Sequence, residues 1–176
     1  MTLDIRTAAI EPVRESFDHI RERLGPGKLP TRYQEGVFDL QPALNYHYRP
    51  TWEPDRELYD RRRTAIVMED FDRLLDPRQY YYGSWTIARA KQQESQEGNF
   101  SFVEKRDLLA GLDDAWREKI QTLVIPVRHV AWAANTNNCY ICAYGYGAPV
   151  TSAAAFQMSD ELGVAQYVSR IGLIMA

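Results

Sequence analysis

The apolar residues of this chain recur at helical steps in four places. After Pro12, residues Val13, Phe17, Ile20 and Leu24 fall three or four apart, and Gly25-Pro26-Gly27 ends the segment, so a short amphipathic helix is predicted there. Asp76-Pro77 combines an N-cap side chain with proline at the first helical position. The helix it opens is expected to run to about Arg106, with an inward stripe of Tyr81, Trp85, Ala88, Gln92, Ser95, Asn99 and Phe102. Asp113 or Asp114 caps a second long helix, whose stripe is Trp116, Ile120, Leu123, Val127, Val130, Ala134 and Ile141 and which Pro126 should kink. Gly145 to Pro149 closes it. A third helix begins near Val150, with Ala153, Ala154, Ala155 and Gly163 small enough for close helix approach. Strand-like alternation and internal repeats are absent from the sequence, which predicts an all-α chain of long helices packed as a bundle.

Between Pro30 and Asp60 neither period holds, and Pro30, Pro42, Pro50 and Pro54 keep regular structure from growing. The stretch nevertheless carries Tyr33, Phe38, Tyr46, Tyr48, Trp52 and Tyr59. Disordered linkers are poor in aromatics, so this segment is expected to lie extended across a surface, with Tyr46, Tyr48, Trp52 and Tyr59 as candidate subunit-interface residues. The alternative is a long loop packed on its own domain. The division expected is 1–64, an N-terminal helix and extended aromatic arm, and 65–176, a helical-bundle domain.

Composition narrows the function. The 45% apolar and 26% charged shares over 176 residues fit one globular core. A formal charge of -3 leaves no cationic surplus for a phosphate backbone, which argues against nucleic acid as a partner. Residues 121–176 hold only Arg128, Asp160, Glu161 and Arg170 as charges, so this third should be mostly buried. Its charge-free run from His129 to Ser159 contains Asn135, Asn137, Asn138, Gln157 and Pro149, which fits a buried helix pair better than a membrane span. Two cysteines are too few for a secreted disulfide framework, and Asp4 and Glu11 interrupt any signal-peptide apolar region, so a cytoplasmic protein is expected.

A long-helix bundle raises the ferritin-like di-iron site, which needs a Glu from each of two helices and a Glu-x-x-His from each of two others. Of His19, His47 and His129, none completes that motif: the positions three earlier hold Ser16, Leu44 and Pro126. Glu94 and Glu97 fall away from the predicted stripe, leaving Gln92, Ser95 and Asn99 facing inward, and neutral amides bind iron poorly. His129, Gln92 and Asn99 are therefore read as polar residues of the core, and neither metal ligands nor catalytic residues are assigned. Cys139-Tyr140-Ile141-Cys142 is a C-x-x-C, but it falls late in a helix with no strand before it, so two small buried thiols filling a helix interface are expected. Arg61-Arg62-Arg63 is read as a solvated or interface charge run rather than an anion site.

The strings RYQEGVFDL, NYHYRPTWEP, TAIVMEDFD, DPRQYYYGSW, VEKRDLL, IPVRHVAWAANTNN and AQYVSRIGL resemble the beta subunit of the hydroxylase component of bacterial phenol hydroxylases, within the phenol/toluene/methane monooxygenase family. The resemblance implies a ferritin-like fold without metal ligands, in a non-catalytic subunit that supports ring hydroxylation. It places the di-iron centre on a partner alpha subunit. It also implies a gamma subunit, a small effector protein, and electrons from NADH through a reductase carrying FAD and an iron-sulfur cluster. Pro126 in place of the Glu of Glu-x-x-His agrees with a non-metallated member. Family members run on well beyond this length, and the chain stops inside the apolar run Ile171–Ala176, so an incomplete bundle lacking its last core helix is expected. The alternatives are a stand-alone di-iron oxidase or oxygenase, and a thiol redox protein using Cys139 and Cys142.

Overall fold

A computed structural model of the chain describes residues 17–40, 49–57 and 60–176. Val13, Tyr46, Tyr48 and Tyr59 lie outside the described residues. All regular elements among those described are helical: α1 (Arg21–Leu24), entered through a 3₁₀ turn at Asp18–Ile20, α2 (Arg32–Val37), α3 (Tyr82–Lys105), α4 (Asp114–Lys119), α5 (Val127–Tyr144) and α6 (Ala148–Met175). Further 3₁₀ turns span Arg61–Arg63 and Phe71–Arg73. No described helix is long and apolar enough to cross a membrane. Two compact units form, one from the described residues up to Trp85 with Tyr140–Ala155, the other from Thr86–Cys139 with Phe156–Ala176.

The first unit is built on a small apolar core. Phe17 and Ile20 meet Tyr33, Val37 and Phe38, with Leu24 packed alongside. Tyr33 and Phe38 contact edge to face at 6.5 Å, and the Tyr33 hydroxyl accepts from the Asp76 N–H at 3.1 Å. Two of the six aromatics assigned to the extended stretch thus pack on their own chain, because a helix forms where none was expected. Its source is a capping box: the Thr31 hydroxyl accepts from the Gln34 N–H at 3.2 Å, and the Gln34 side chain accepts from the Thr31 N–H at 2.9 Å. Arg23 bridges Asp39 and Asp70 at 2.8 Å each, and these two carboxylates hold its guanidinium charged to a pH far above the ordinary range.

The start of α3 also differs from expectation. Asp76 caps a turn, accepting from the Arg78 N–H at 3.0 Å, while Gln79 sits at φ 48° in the left-handed region and prevents the helix from continuing. Helix begins instead at Tyr82. The fully buried Ser84 fixes its first turn, its hydroxyl donating to the Tyr81 carbonyl at 3.0 Å and accepting from the Tyr81 N–H at 3.1 Å.

In the second unit Asp113 caps α4, as the sequence predicts, accepting from the Trp116 N–H at 2.8 Å. Pro126 is accommodated by a π-helical stretch at Ile120–Val124 that joins α4 towards α5. Proline offers no N–H and its ring would strike the carbonyl four residues back, and a wider turn relieves the clash. The Ile125 N–H accordingly reaches the Ile120 carbonyl at 3.0 Å, five residues earlier.

Helix α6 holds α3 and α5. Its contacts with α3 are an Arg89–Asp160 ion pair, Arg170 bound to Glu97 at 2.6 and 2.7 Å, and Phe100 against Tyr167 at 6.3 Å with Arg170 stacked 4.2 Å from the Phe100 ring. On the α5 side, the Asn135 amide donates to the Met158 carbonyl at 2.7 Å. Gly172 lies beside Ile125, whose Cδ1 would be 3.4 Å from an added Cβ.

These contacts move the predicted inward faces by one residue. On α3 the covered positions after Ala88 are Arg89, Gln96, Phe100, Ser101 and Val103, not Gln92, Ser95, Asn99 and Phe102. On α5 they are Arg128, Ala131, Asn135, Asn138, Cys142 and Tyr144, with Ala134 the member of the predicted stripe that stays covered, while Val127, Val130 and Ile141 are exposed. Gln92, Asn99 and His129, expected in the core, are exposed in this chain, and Glu97, expected to point away, is the partner of Arg170. The 121–176 segment as a whole is less buried than its scarcity of charge implies.

Candidate functional site

Within the first unit, the irregular segment from Arg49 to Asp70 is organised by its arginines. Asp60 caps the 3₁₀ turn by accepting from the Arg62 N–H at 2.8 Å, and so directs three consecutive guanidinium groups to different targets. Arg61 donates to the Met68 carbonyl at 2.7 Å and lies 5.8 Å from the Phe71 ring centre. Arg62 returns to Asp60 at 2.5 Å and donates to the Asp55 carbonyl at 3.0 Å. Arg63, only 5% exposed at its side chain, pairs with Glu53, donates to the carbonyls of Glu57 at 3.0 Å and Arg56 at 3.2 Å, and sits 5.7 Å from the Tyr144 ring centre. Arg61 and Arg62 are thus exposed, as a solvated run should be, while Arg63 turns inward as the internal tie of this segment. The signal available was the interleaving of Glu53, Asp55, Glu57 and Asp60 with the arginines. Sequence reasoning missed it because most of the acceptors are backbone carbonyls.

Around Arg63 lies an open groove of about 310 Å³, lined among others by Glu53, Arg56, Ile66, Tyr140 and Tyr144. Trp52 stands over Tyr144 edge to face at 5.4 Å yet keeps 58% of its surface exposed. Of the four aromatics assigned to a subunit interface, it alone lies within the described residues. Gly147, at φ 94°, lets the chain pass close to Phe71, whose Cδ1 would be 3.2 Å from an added Cβ.

The charged groups here are matched in pairs, which suits architecture more than acid-base chemistry. Arg62 holds the Asp60 carboxyl at about 2, below its ordinary 3.8, mainly through its side-chain hydrogen bond. A carboxylate with a depressed pKa contributes stability that is present above its unfolded value and is lost as the pH falls through the folded one. Asp60→Asn is therefore expected to flatten the pH dependence of stability below about pH 4, read as the difference in urea midpoint between variant and parent from about pH 5 to pH 2. Parallel profiles would remove Asp60 from this role.

The donor atoms can be tested against a di-iron centre. Among the described residues no group of three or more His, Cys, Asp or Glu side chains comes together. His129 faces solvent and accepts from the neighbouring Arg128 Nε at 3.3 Å, and the residue three positions before it is Pro126, which has no side-chain donor for a metal. The described residues do not fit the group. Cys139 is exposed and Cys142 half-buried, with no disulfide between them, so Cys139 does not fill a buried interface as expected. The helix turns it outward, one step beside the Asn135–Asn138–Cys142 face.

Comparison with known proteins agrees with the helical architecture. The chain is 44% identical over 175 residues to the phenol 2-monooxygenase oxygenase component MhpL of Acinetobacter pittii (strain PHEA-2), covering 99% of this chain and 52% of that protein. It is 41% identical over 175 residues to the phenol 2-monooxygenase oxygenase component DmpL of Pseudomonas sp. (strain CF600), covering 99% of this chain and 53% of that one. The crystal structure of xenon-pressurized phenol hydroxylase from Pseudomonas sp. OX1 contains a chain that superposes with a TM-score of 0.84 at 42% identity, over 97% of this chain and 52% of its own length. The chain thus spans about half the length of the relatives it matches. With residues 52–176 matching the methane/phenol/alkene hydroxylase family, this chain belongs to that family.

Proposed function

We propose that the chain serves as a structural, non-catalytic subunit of a phenol-hydroxylase-type oxygenase, with the di-iron centre on a partner alpha subunit. The observation that carries this reading is a mismatch. Identity of 41–44% to phenol 2-monooxygenase oxygenase components runs along 99% of the chain, yet its described residues gather no metal-ligand set. In this reading a gamma subunit and a small effector protein complete the assembly in the cytoplasm. A reductase carrying FAD and an iron-sulfur cluster delivers electrons from NADH, and the aromatic ring is hydroxylated on the alpha subunit.

What this chain contributes is shape and contact area. Exposed Trp52, held over Tyr144 by the arginine-tied segment, is suited to anchor a partner subunit together with Tyr46, Tyr48 and Tyr59. Trp52→Ala is expected to cost about 2 to 4 kcal/mol of assembly free energy when the chain is co-expressed with alpha and gamma subunits, without loss of far-UV circular dichroism in the chain alone. Mass measurement of the purified complex and phenol turnover by it give the readout. A chain that fails to join any such complex, or a Trp52→Ala variant that assembles normally, would count against the respective part of this reading.

A further inference from the structure

On α5 the apolar stripe and the covered face differ by the same single residue at each turn. Val127, Val130 and Ala134 of the stripe each stand one position before Arg128, Ala131 and Asn135 of the covered face. Val130 is left 67% exposed beside Ala131 at 3%. A displacement that stays constant along a helix is not the preference of any one side chain. It is what one extra residue inserted upstream produces, since at about 100° per residue everything after the insertion turns by roughly a quarter of a revolution. The π-helical stretch at Ile120–Val124 is such an insertion, its hydrogen bond running from the Ile125 N–H to the Ile120 carbonyl at 3.0 Å, five residues back where an α-helix reaches four.

We propose that Pro126 is a register lock: by imposing the π turn it holds α5 one residue out of phase with its own apolar stripe. A continuous α-helix through this region would put Val127, Val130 and Ala134 in the places that Arg128, Ala131 and Asn135 now take. Such a helix would drive the Pro126 ring into the Thr122 carbonyl, to which proline has no N–H to offer. The wider turn avoids the clash. Thr122 supports it from the same place, its hydroxyl donating to the Glu118 carbonyl at 2.7 Å, a bond that bends helices. Two features fit the shifted register. Ala131 brings a single methyl group to a buried position that Val130 would overfill. The Asn135 amide donates to the Met158 carbonyl at 2.7 Å, and Ala134 in its place would donate nothing. Hydropathy favours the other register, which would cover Val127 in place of Arg128. One sequence thus carries two helix registers, and a single proline decides between them.

Thiol accessibility reads the register directly. In the full 176-residue chain with Cys139→Ala and Cys142→Ala, a single cysteine is introduced as Val130→Cys or as Ala131→Cys, and its reaction with an aromatic disulfide reagent is timed under native conditions. With Pro126 in place, Val130→Cys should react about tenfold or more faster than Ala131→Cys, because only the second thiol must wait for local opening. In Pro126→Ala the order should reverse. Deleting Leu123 from the Pro126→Ala chain should then bring the parent order back, since a continuous α-helix one residue shorter regains the lost phase. Leu123 is 69% exposed, so its removal takes away no buried side chain. A proline that affected only stability would speed or slow both positions together, and the deletion would add to the damage. The proposal is overturned if Pro126→Ala keeps the parent order, or if the deletion variant fails to restore it. Should Pro126→Ala not fold, as judged by far-UV circular dichroism, the deletion variant decides alone: a folded chain with the parent order supports the lock, and any other result overturns it.

Discussion

Replacing Arg63 by Ala is expected to remove about 3 kcal/mol of stability, at the low end of the range for breaking a buried ion pair because Glu53 keeps some solvent contact. Three acceptors lose a donor at once: the Glu53 carboxylate, which keeps Arg56 at 3.1 Å, the Glu57 carbonyl, which keeps the Asp60 N–H at 3.3 Å, and the Arg56 carbonyl. Tyr144 loses the guanidinium over its ring as well. Arg63→Lys keeps the charge but cannot serve three acceptors in different directions from one ammonium group, so it should recover less than half of the loss. Urea unfolding followed by tryptophan fluorescence measures both, with the slope unchanged if only stability is altered. A shift of the Arg63→Ala midpoint worth less than about 0.5 kcal/mol, the scale of an ordinary surface substitution, would mean that the segment does not depend on this tie.

The second large effect separates two phenylalanines on one helix. Phe100 is 5% exposed, packed between Tyr167 and the Arg170 guanidinium, and its replacement by Ala should cost about 3 kcal/mol. Phe102, 52% exposed, should cost less than about 1 kcal/mol in the same substitution in the isolated chain. Thermal unfolding of the two variants side by side gives the comparison. Equal losses, or the larger loss at Phe102, would show that α3 presents the face its sequence stripe marks.

That comparison also shows where sequence reading reached its limit. Helix class and the Asp113 cap were legible, since a 3.6-residue period and a capping side chain are local signals. The choice of face was not. On α5 hydropathy favours the face of Val127, Val130 and Ile141, and the covered face carries Arg128, Asn135 and Asn138 instead. That covered face is the one where Ala131 is buried and the Asn135 amide finds the Met158 carbonyl. Helix α2 carried a readable capping box at Thr31 and Gln34, hidden by the prolines around it. Asp76-Pro77 carries the signal of a helix start, but its cap is spent on a turn ended by the left-handed Gln79, a backbone choice that no side-chain pattern announces. For the candidate site, the sequence marks Trp52 as one of several aromatics in an irregular stretch, whereas the arginine tie depends on carbonyl partners that only folding brings near.

Iron content tests most directly whether this chain supports the oxygen chemistry without performing it. The chain expressed alone in iron-rich medium, and again after anaerobic incubation with ferrous iron, is expected to retain well under one iron by elemental analysis and to show no di-iron absorption band on exposure to air. About two irons held per chain with that band, the content of a complete ferritin-like site, would contradict it.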